Sequence, residues 1–564
     1  MVSRLRPGPG HQNTQRLDEK GISRLSATGS TDEEANIPAS DHELAAKLPV
    51  PSKLREINNR IENLAGFEAR GITRVLPEER QPPSWSSDLQ VAIMWYSANI
   101  SLNNLAAAML GPLAFELGFL DCAMCAVFGA LVGSLTTAYM SIWGPQSGNR
   151  TMVSCHIYDT TFVVVKALYH IKINPHLTSV RVFANPQRFV QVILRFFMGY
   201  WPSKILCFLN IILMIGYATI DGIIGGQVLS AVSGGKMTII VGIIVVSVVC
   251  WVVAVFGMAL FHKYERYSWL PQTIALFILI GVAGPYFDAS APSKNSGALL
   301  AAQRLSFFNI CLYVPNSWAG AASDFYVYYP EKTSKRKIFL LTLTGIWTAF
   351  TFVYLIAIGL GTGVANSPAW AEANGVSSGA LIVAGYEPLK GFGRFCSVVV
   401  SLGVIANSIP STYSAALGVQ VLGRYFKVVP RYVWSTVIIL IEFVLAVAGR
   451  DQLFTIFQNF CALMGYWAMI MFFIVLMEHL MFRGRRGFDW SRWEDKEYQP
   501  LGLAALASFL VGWAGAVLGM AQAWYTGPIA KLAEGGDVGL WIACGFTIIS
   551  FPPLRALELR VFGR

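Results

Sequence analysis

The stretch NICLYVPNSWAGAASDF, Asn309–Phe325, begins as an apolar helix and then carries Pro315, Asn316, Gly320 and Asp324 in quick succession. Proline removes a backbone donor and glycine relaxes the helix, so a break is expected here. The surrounding chain of 564 residues is 54% hydrophobic and 13% charged, against about a quarter charged for a soluble protein. After the first eighty-odd residues the charges fall mainly in short clusters between apolar runs, the pattern of a polytopic membrane protein. In such a protein, freed backbone groups at membrane depth survive only where protein or a water-filled cavity satisfies them.

A second stretch repeats the signal. WYSANISLNNLAAAMLGP, Trp95–Pro112, packs Ser97, Asn99, Ser101, Asn103 and Asn104 into two turns of an otherwise apolar run. Paired broken helices, one in each half of a chain, mark the substrate site of a transporter built from inverted repeats. Counting segments of about 20 mainly apolar residues gives about twelve spans. They lie near 91–115, 121–143, 204–228, 237–260, 269–284, 304–322, 338–364, 396–420, 431–448, 453–482, 501–524 and 537–555. The two broken stretches are then spans 1 and 6, equivalent members of two five-helix repeats.

The connecting segments sort by charge. One set holds Lys263 and Arg266, then EKTSKRK, then Arg424, Lys427 and Arg431, then RGRR with Arg492 and Lys496, and finally Arg560 and Arg564. The alternating set is nearly free of Lys and Arg. Excess positive charge marks the cytoplasmic side, so both termini are expected there, with an even number of spans. The excess of 43 Lys+Arg over 33 Asp+Glu therefore needs no nucleic-acid partner. Residues 1–85 read as a cytoplasmic, mostly disordered tail, with a short surface helix possible in NLAGFEARGITRVLPEER, and 86–564 as the transporter domain. The opening residues lack an apolar signal-peptide core.

Further motifs weigh on chemistry. Cys122 and Cys125 in CAMC have metal-like spacing but no second pair, so packing outweighs zinc. No paired catalytic residues and no Walker A sequence occur, which disfavours an enzyme or an ATP-driven pump. Polar residues clustered at one depth disfavour a channel. In LMIGYATIDGIIGGQ, Leu213–Gln227, Asp221 follows Tyr217 by one turn inside an apolar span. Intramembrane carboxylates are functional candidates by default, and Asp221 is expected both to contact the ligand and to bind the coupling proton, its desolvation favouring the protonated form. GVIANSIPSTYSAALG adds Asn407, Ser411, Thr412 and Ser414 around Pro410. Glu442 and Glu478, in or near later spans, receive no role.

Ten stretches, in order, together resemble one family: RGITRVLPEER, GPQSGNRTM, GGQVLSAVSGG, YERYSWLPQ, SDFYVYYP, ANSIPSTYS, VLGRYFKVVPR, ALMGYWAM, EHLMFR and PPLRALELRVFGR. From about Arg70 to Arg564 the chain is similar to the fungal purine–cytosine permease branch of the nucleobase–cation symporters. The resemblance implies an all-α LeuT-like fold, with a 5+5 inverted repeat, broken helices 1 and 6 and two C-terminal helices. It also implies proton-coupled uptake of a nucleobase or similar flat heterocycle, with no cofactor, at the plasma membrane.

By the same resemblance the ligand is sandwiched between Tyr217 and Trp318, its edges read by Asn103 or Asn104, Asp221, Asn407 and Ser411. Glu265 matches a glutamate of functional weight, with a cytoplasmic salt bridge as an equal alternative. Nucleobase carriers of the family usually have Trp, Asn and Asn where this chain has Tyr217, Asp221 and Ser411. A related branch carries vitamin B6, which stands as the second substrate class. A non-transporting nutrient sensor is a third reading.

Val153–Gln191 matches no family pattern. It contains Cys155 and three histidines without metal-site spacing, and a patternless connection of roughly 40 residues is unusual in a compact domain. Val-Ser and Gln can be encoded by splice-donor and splice-acceptor triplets, and deletion restores GNRTMVILRFFMGYWPSK in frame. A retained intron is the expectation, a cytoplasmic insertion the alternative, and sequencing the transcript decides between them.

Overall fold

In the computed structural model, residues 80, 84–148 and 193–564 are described, less 257, 424, 427, 428, 485, 486, 493, 494 and 496. The tail, the surface-helix candidate before Arg80 and the 153–191 segment lie outside them. Among the described residues the regular structure is helical, with one isolated bridge between Ala521 and Thr526.

The first crossing is split into α1 (Trp85–Asn99) and α2 (Leu102–Leu113). Spans 2 to 5 are α3 (Phe119–Ser141), α4 (Tyr200–Val232), α5 (Ile239–Phe256) and α6 (Met258–Ala283). Span 6 begins as α7 (Gly297–Ser317) and unwinds into 3-10 turns at Trp318–Gly320 and Ala322–Tyr326. Spans 7 to 10 are α8 (Lys335–Gly363), α9 (Lys390–Leu422), α10 (Arg431–Gly449) and α11 (Leu453–Met477). Spans 11 and 12 are α12 (Leu503–Gly519) and α13 (Gly539–Phe562). Nine described helices are long and apolar enough to cross a bilayer; α5 and α12 are shorter apolar helices, and split α1–α2 completes the set.

Both expected breaks are present. Helix ends differ from the hydropathy reading by several residues; the span-5 membrane segment, Tyr267–Tyr286, lies close to the expected 269–284, and helical backbone precedes it from Met258. The added turns carry Lys263, Glu265 and Arg266, which hydropathy scores against a span although the helix continues through them. Proline at 410 does not end α9.

The packing follows the repeat. Span 2 packs on span 6 as span 7 packs on span 1, and span 3 packs on span 9 as span 8 packs on span 4. With lipid as apolar as leucine, helices associate through close backbone approach and hydrogen bonds. At Gly133 in α3 a Cβ would stand 2.2 Å from the Leu312 carbonyl oxygen and 2.6 Å from Pro315 Cγ. The hydroxyl of Thr137, one turn on, donates to the Pro315 carbonyl at 2.7 Å, and Thr136 donates to Asn316 Oδ1 at 2.7 Å. Span 2 thus supplies the partners that the span-6 break requires.

Spans 10 and 12 are joined by charge. Arg555 in α13, 1% exposed, holds Glu478 through Nε–Oε2 at 2.9 Å and Nη2–Oε1 at 3.0 Å, and holds Glu558 at 2.9 Å.

Candidate functional site

The break in span 1 is closed by amides. Asn99 donates from Nδ2 to the Trp95 carbonyl at 2.7 Å, and Asn104 donates to the Asn99 carbonyl at 2.7 Å. Ser101 donates to Asn103 Oδ1. Buried carbonyls left by the unwound turn are therefore satisfied by side chains, which explains so many asparagines in an apolar run. Asn99 also reaches the other break, because its Oδ1 accepts from Trp318 Nε1 at 2.9 Å.

Between the breaks lies a small cavity, narrower in this closed packing than a bound heterocycle would need and enclosed by residues of four spans. Span 1 lines it with Asn103 and Asn104, span 3 with Tyr217, span 6 with Trp318, and span 8 with Asn407 and Ser411. Six of the expected residues therefore come together from four spans. Trp318 stands edge-on to Trp95 at 5.7 Å between centroids, and Tyr217 edge-on to Phe460 at 5.3 Å. These contacts hold both rings by their edges or one face, in the geometry aromatic pairs prefer.

Asp221 is placed differently. It is fully buried and does not line the cavity; its Oδ2 accepts from Asn407 Nδ2 at 2.9 Å and from Ser408 Oγ at 3.3 Å. Its link to the cavity lining is the hydrogen bond from Asn407. The side chain of Glu265 lies outside the described residues, although its backbone continues α6. Six lining residues are additional to the expected set, the polar Asn99 and Ser317 and the apolar Ala98, Leu213, Met214 and Val314. Asn99 was legible as the amide one turn before Asn103. Ser317 carries no signal beyond adjacency to Trp318. No group of three or more His, Cys, Asp or Glu able to hold a metal occurs among the described residues.

Residues 77–157 match the family model described as permease for cytosine/purines, uracil, thiamine, allantoin. Across the chain, the purine-cytosine permease fcyB of Emericella nidulans is 31% identical over 511 residues, covering 90% of this chain and 92% of that one. The chain belongs to the fungal purine–cytosine permease branch of the nucleobase–cation symporter family. The vitamin B6 transporter TPN1 of Saccharomyces cerevisiae is also 31% identical, over 574 residues, covering 91% and 92%. Among solved structures, Mhp1, a nucleobase-cation-symport-1 family transporter in a closed conformation with bromovinylhydantoin bound, superposes with a TM-score of 0.57. It is 13% identical and covers 88% of this permease and 96% of its own chain, a likeness of fold. The match to the family model stops at residue 157, inside the segment that departs from the family pattern.

Proposed function

We propose that this permease imports a small flat heterocycle of the purine or cytosine class by proton symport. It works by alternating access across the plasma membrane, with both termini in the cytoplasm. The observation that carries this reading is the single cavity at the two helix breaks, where Tyr217 and Trp318 meet the amides of Asn103, Asn104 and Asn407. Base–aromatic stacking contributes roughly 1–3 kcal/mol and does not discriminate between rings. Amides both donate and accept, as the mixed lactam and amine edges of nucleobases require. A ring lacking those groups would leave buried amides unpaired, the strongest form of rejection.

Vitamin B6 is the second reading. It is favoured by Tyr217, Asp221 and Ser411, where nucleobase carriers of the family usually have Trp, Asn and Asn, and by the similarity to TPN1. A cavity with a smaller ring and hydroxyl partners suits a pyridine bearing hydroxyl groups.

Competition uptake in cells lacking their own permeases separates the two readings. Saturable, mutually competitive uptake of cytosine, adenine and hypoxanthine that collapses with a protonophore is the expected result. Uptake of pyridoxine alone would transfer the assignment to the second class. Binding without accumulation of any of these compounds would indicate a sensor instead.

A further inference from the structure

Behind span 8 lies a second, much smaller cavity, about the size of one water molecule, with no lining residue in common with the first. Its wall includes Gly222 of α4, Ser247 and Cys250 of α5, Ser408 of α9 and Glu442 of α10. Ala218 and Gly222, which flank Asp221 on one face of α4, both line it, and Ser408 is bonded to Asp221 Oδ2. Asp221 is 0% exposed and its second oxygen, Oδ1, has no hydrogen-bond partner. Glu442 is 7% exposed, with the Thr412 hydroxyl 3.2 and 3.0 Å from its two oxygens. Ser408 and Thr412 are one turn apart, so one stripe of α9 meets both carboxylates, Asp221 of α4 and Glu442 of α10.

No base balances them. Neither carboxylate has an ion-pair partner among the described residues. The elements packed around them bring Tyr217 from α4 itself, Cys250 from α5, uncharged polar groups from α9, and Cys461 from α11. α6 brings the uncharged Gln272 against Gly403 of α9. On α10 the nearest base, Arg450, is two turns away and paired with Asp451 at 3.4 Å. Two ionised carboxylates in a low-dielectric interior cost several kcal/mol each in desolvation and repel one another as well. The cost falls if at least one of the two carboxylates gives up its charge by binding a proton.

We propose that Asp221 and Glu442 form one dicarboxylate proton site that holds the coupling proton in this second cavity, with Asn407 linking it to the substrate. The proposal deepens the proton-symport reading and rests on it. A proton suits the site better than a metal ion, because an oxygen without donors needs its charge removed and, among the described residues, no third His, Cys, Asp or Glu joins the pair as a metal ligand. Protonation weakens Asp221 as an acceptor, which loosens the bond from Asn407 and frees that amide to pair with a ligand in the first cavity. When the site opens inward, the ligand leaves, Asn407 returns to Asp221 and the proton passes to cytoplasmic water.

The test uses the full chain in cells, with tritiated cytosine and tritiated pyridoxine assayed separately across external pH, together with infrared spectra of the purified protein without ligand. For Glu442→Gln the accumulation ratio is expected to fall to about one and the pH profile to flatten, with loss of a titrating protonated-carboxyl band. Thr412→Val keeps both carboxylates but removes a donor to ionised Glu442. Its pH profile should move alkaline by about one pH unit, tenfold in proton concentration, and this variant decides the matter if Glu442→Gln fails to reach the membrane. A wild-type pH profile and accumulation ratio in Glu442→Gln would overturn the proposal, as would a sodium requirement that Glu442→Gln abolishes. If protonophore leaves wild-type uptake intact while the infrared band persists, the symport reading fails and the carboxyl site stands alone.

Discussion

Trp318 illustrates how a single residue is placed by features that hydropathy does not show. It sits where span 6 unwinds, its indole nitrogen bonded to Asn99 and its ring against Trp95 and Phe325. Replacing it with Phe keeps a ring for stacking but strands the buried Asn99 oxygen, a loss of about 1–3 kcal/mol. Uptake kinetics of Trp318→Phe should show KM raised by roughly five- to a hundredfold, and Trp318→Ala should abolish measurable uptake. Trp318 itself was legible because Pro315 and Gly320 surround it. The bond that orients it was not, since it joins two breaks more than two hundred positions apart. Asp221 shows the opposite limit: its burial was readable, but its position behind Asn407 depends on how α4 and α9 turn against each other.

At the scale of helices, the apolar runs identified the crossings because hydrocarbon thickness sets their length. The ends were less legible. Helices such as α4, α6 and α9 continue into the interface, where polar residues no longer oppose them. The Glu478–Arg555 pair was hidden for a related reason, since a late carboxylate and an arginine near the terminus read as interfacial charges. The fold instead buries both, Glu478 at 0% and Arg555 at 1% exposure. Removing one partner of a buried ion pair costs about 3–5 kcal/mol; loss of Arg555 strips Glu558 of its ion pair and leaves Glu478 with only Arg483, at 3.3 Å. Arg555→Met is therefore expected to lower the melting temperature in detergent sharply. Adding Glu478→Leu should recover only part of the loss, because Glu558 stays without its arginine, as followed by fluorescence-detected unfolding.

For the molecule as a whole, the two repeats are tied at the loops before spans 2 and 6. Glu116 accepts from Lys294 at 3.1 Å and from Asn295 at 3.3 Å. The Lys294 hydrogen bond and charge, followed by Asn295, hold the Glu116 carboxyl below its usual range. The stabilising tie is thus complete above the unfolded-state pKa of about 4.3 and is lost as pH falls through the lower folded value. Thermal unfolding of the wild type and Lys294→Ala should differ slightly at neutral pH, and the difference should vanish as pH is lowered from about 5 to about 3.

Spans 11 and 12 stand outside the repeat symmetry, yet the segment between them reaches back into it. Asp537 takes the Tyr466 hydroxyl of α11 at 2.8 and 2.9 Å and the Tyr313 hydroxyl of α7 at 3.3 Å, while its carbonyl accepts from Asn309 at 2.6 Å. The first and last helices of the second repeat therefore share one tie-rod. Displacing span 6 relative to span 10 would have to break the bonds to Asp537, a carboxylate carried by the segment that joins the two added helices.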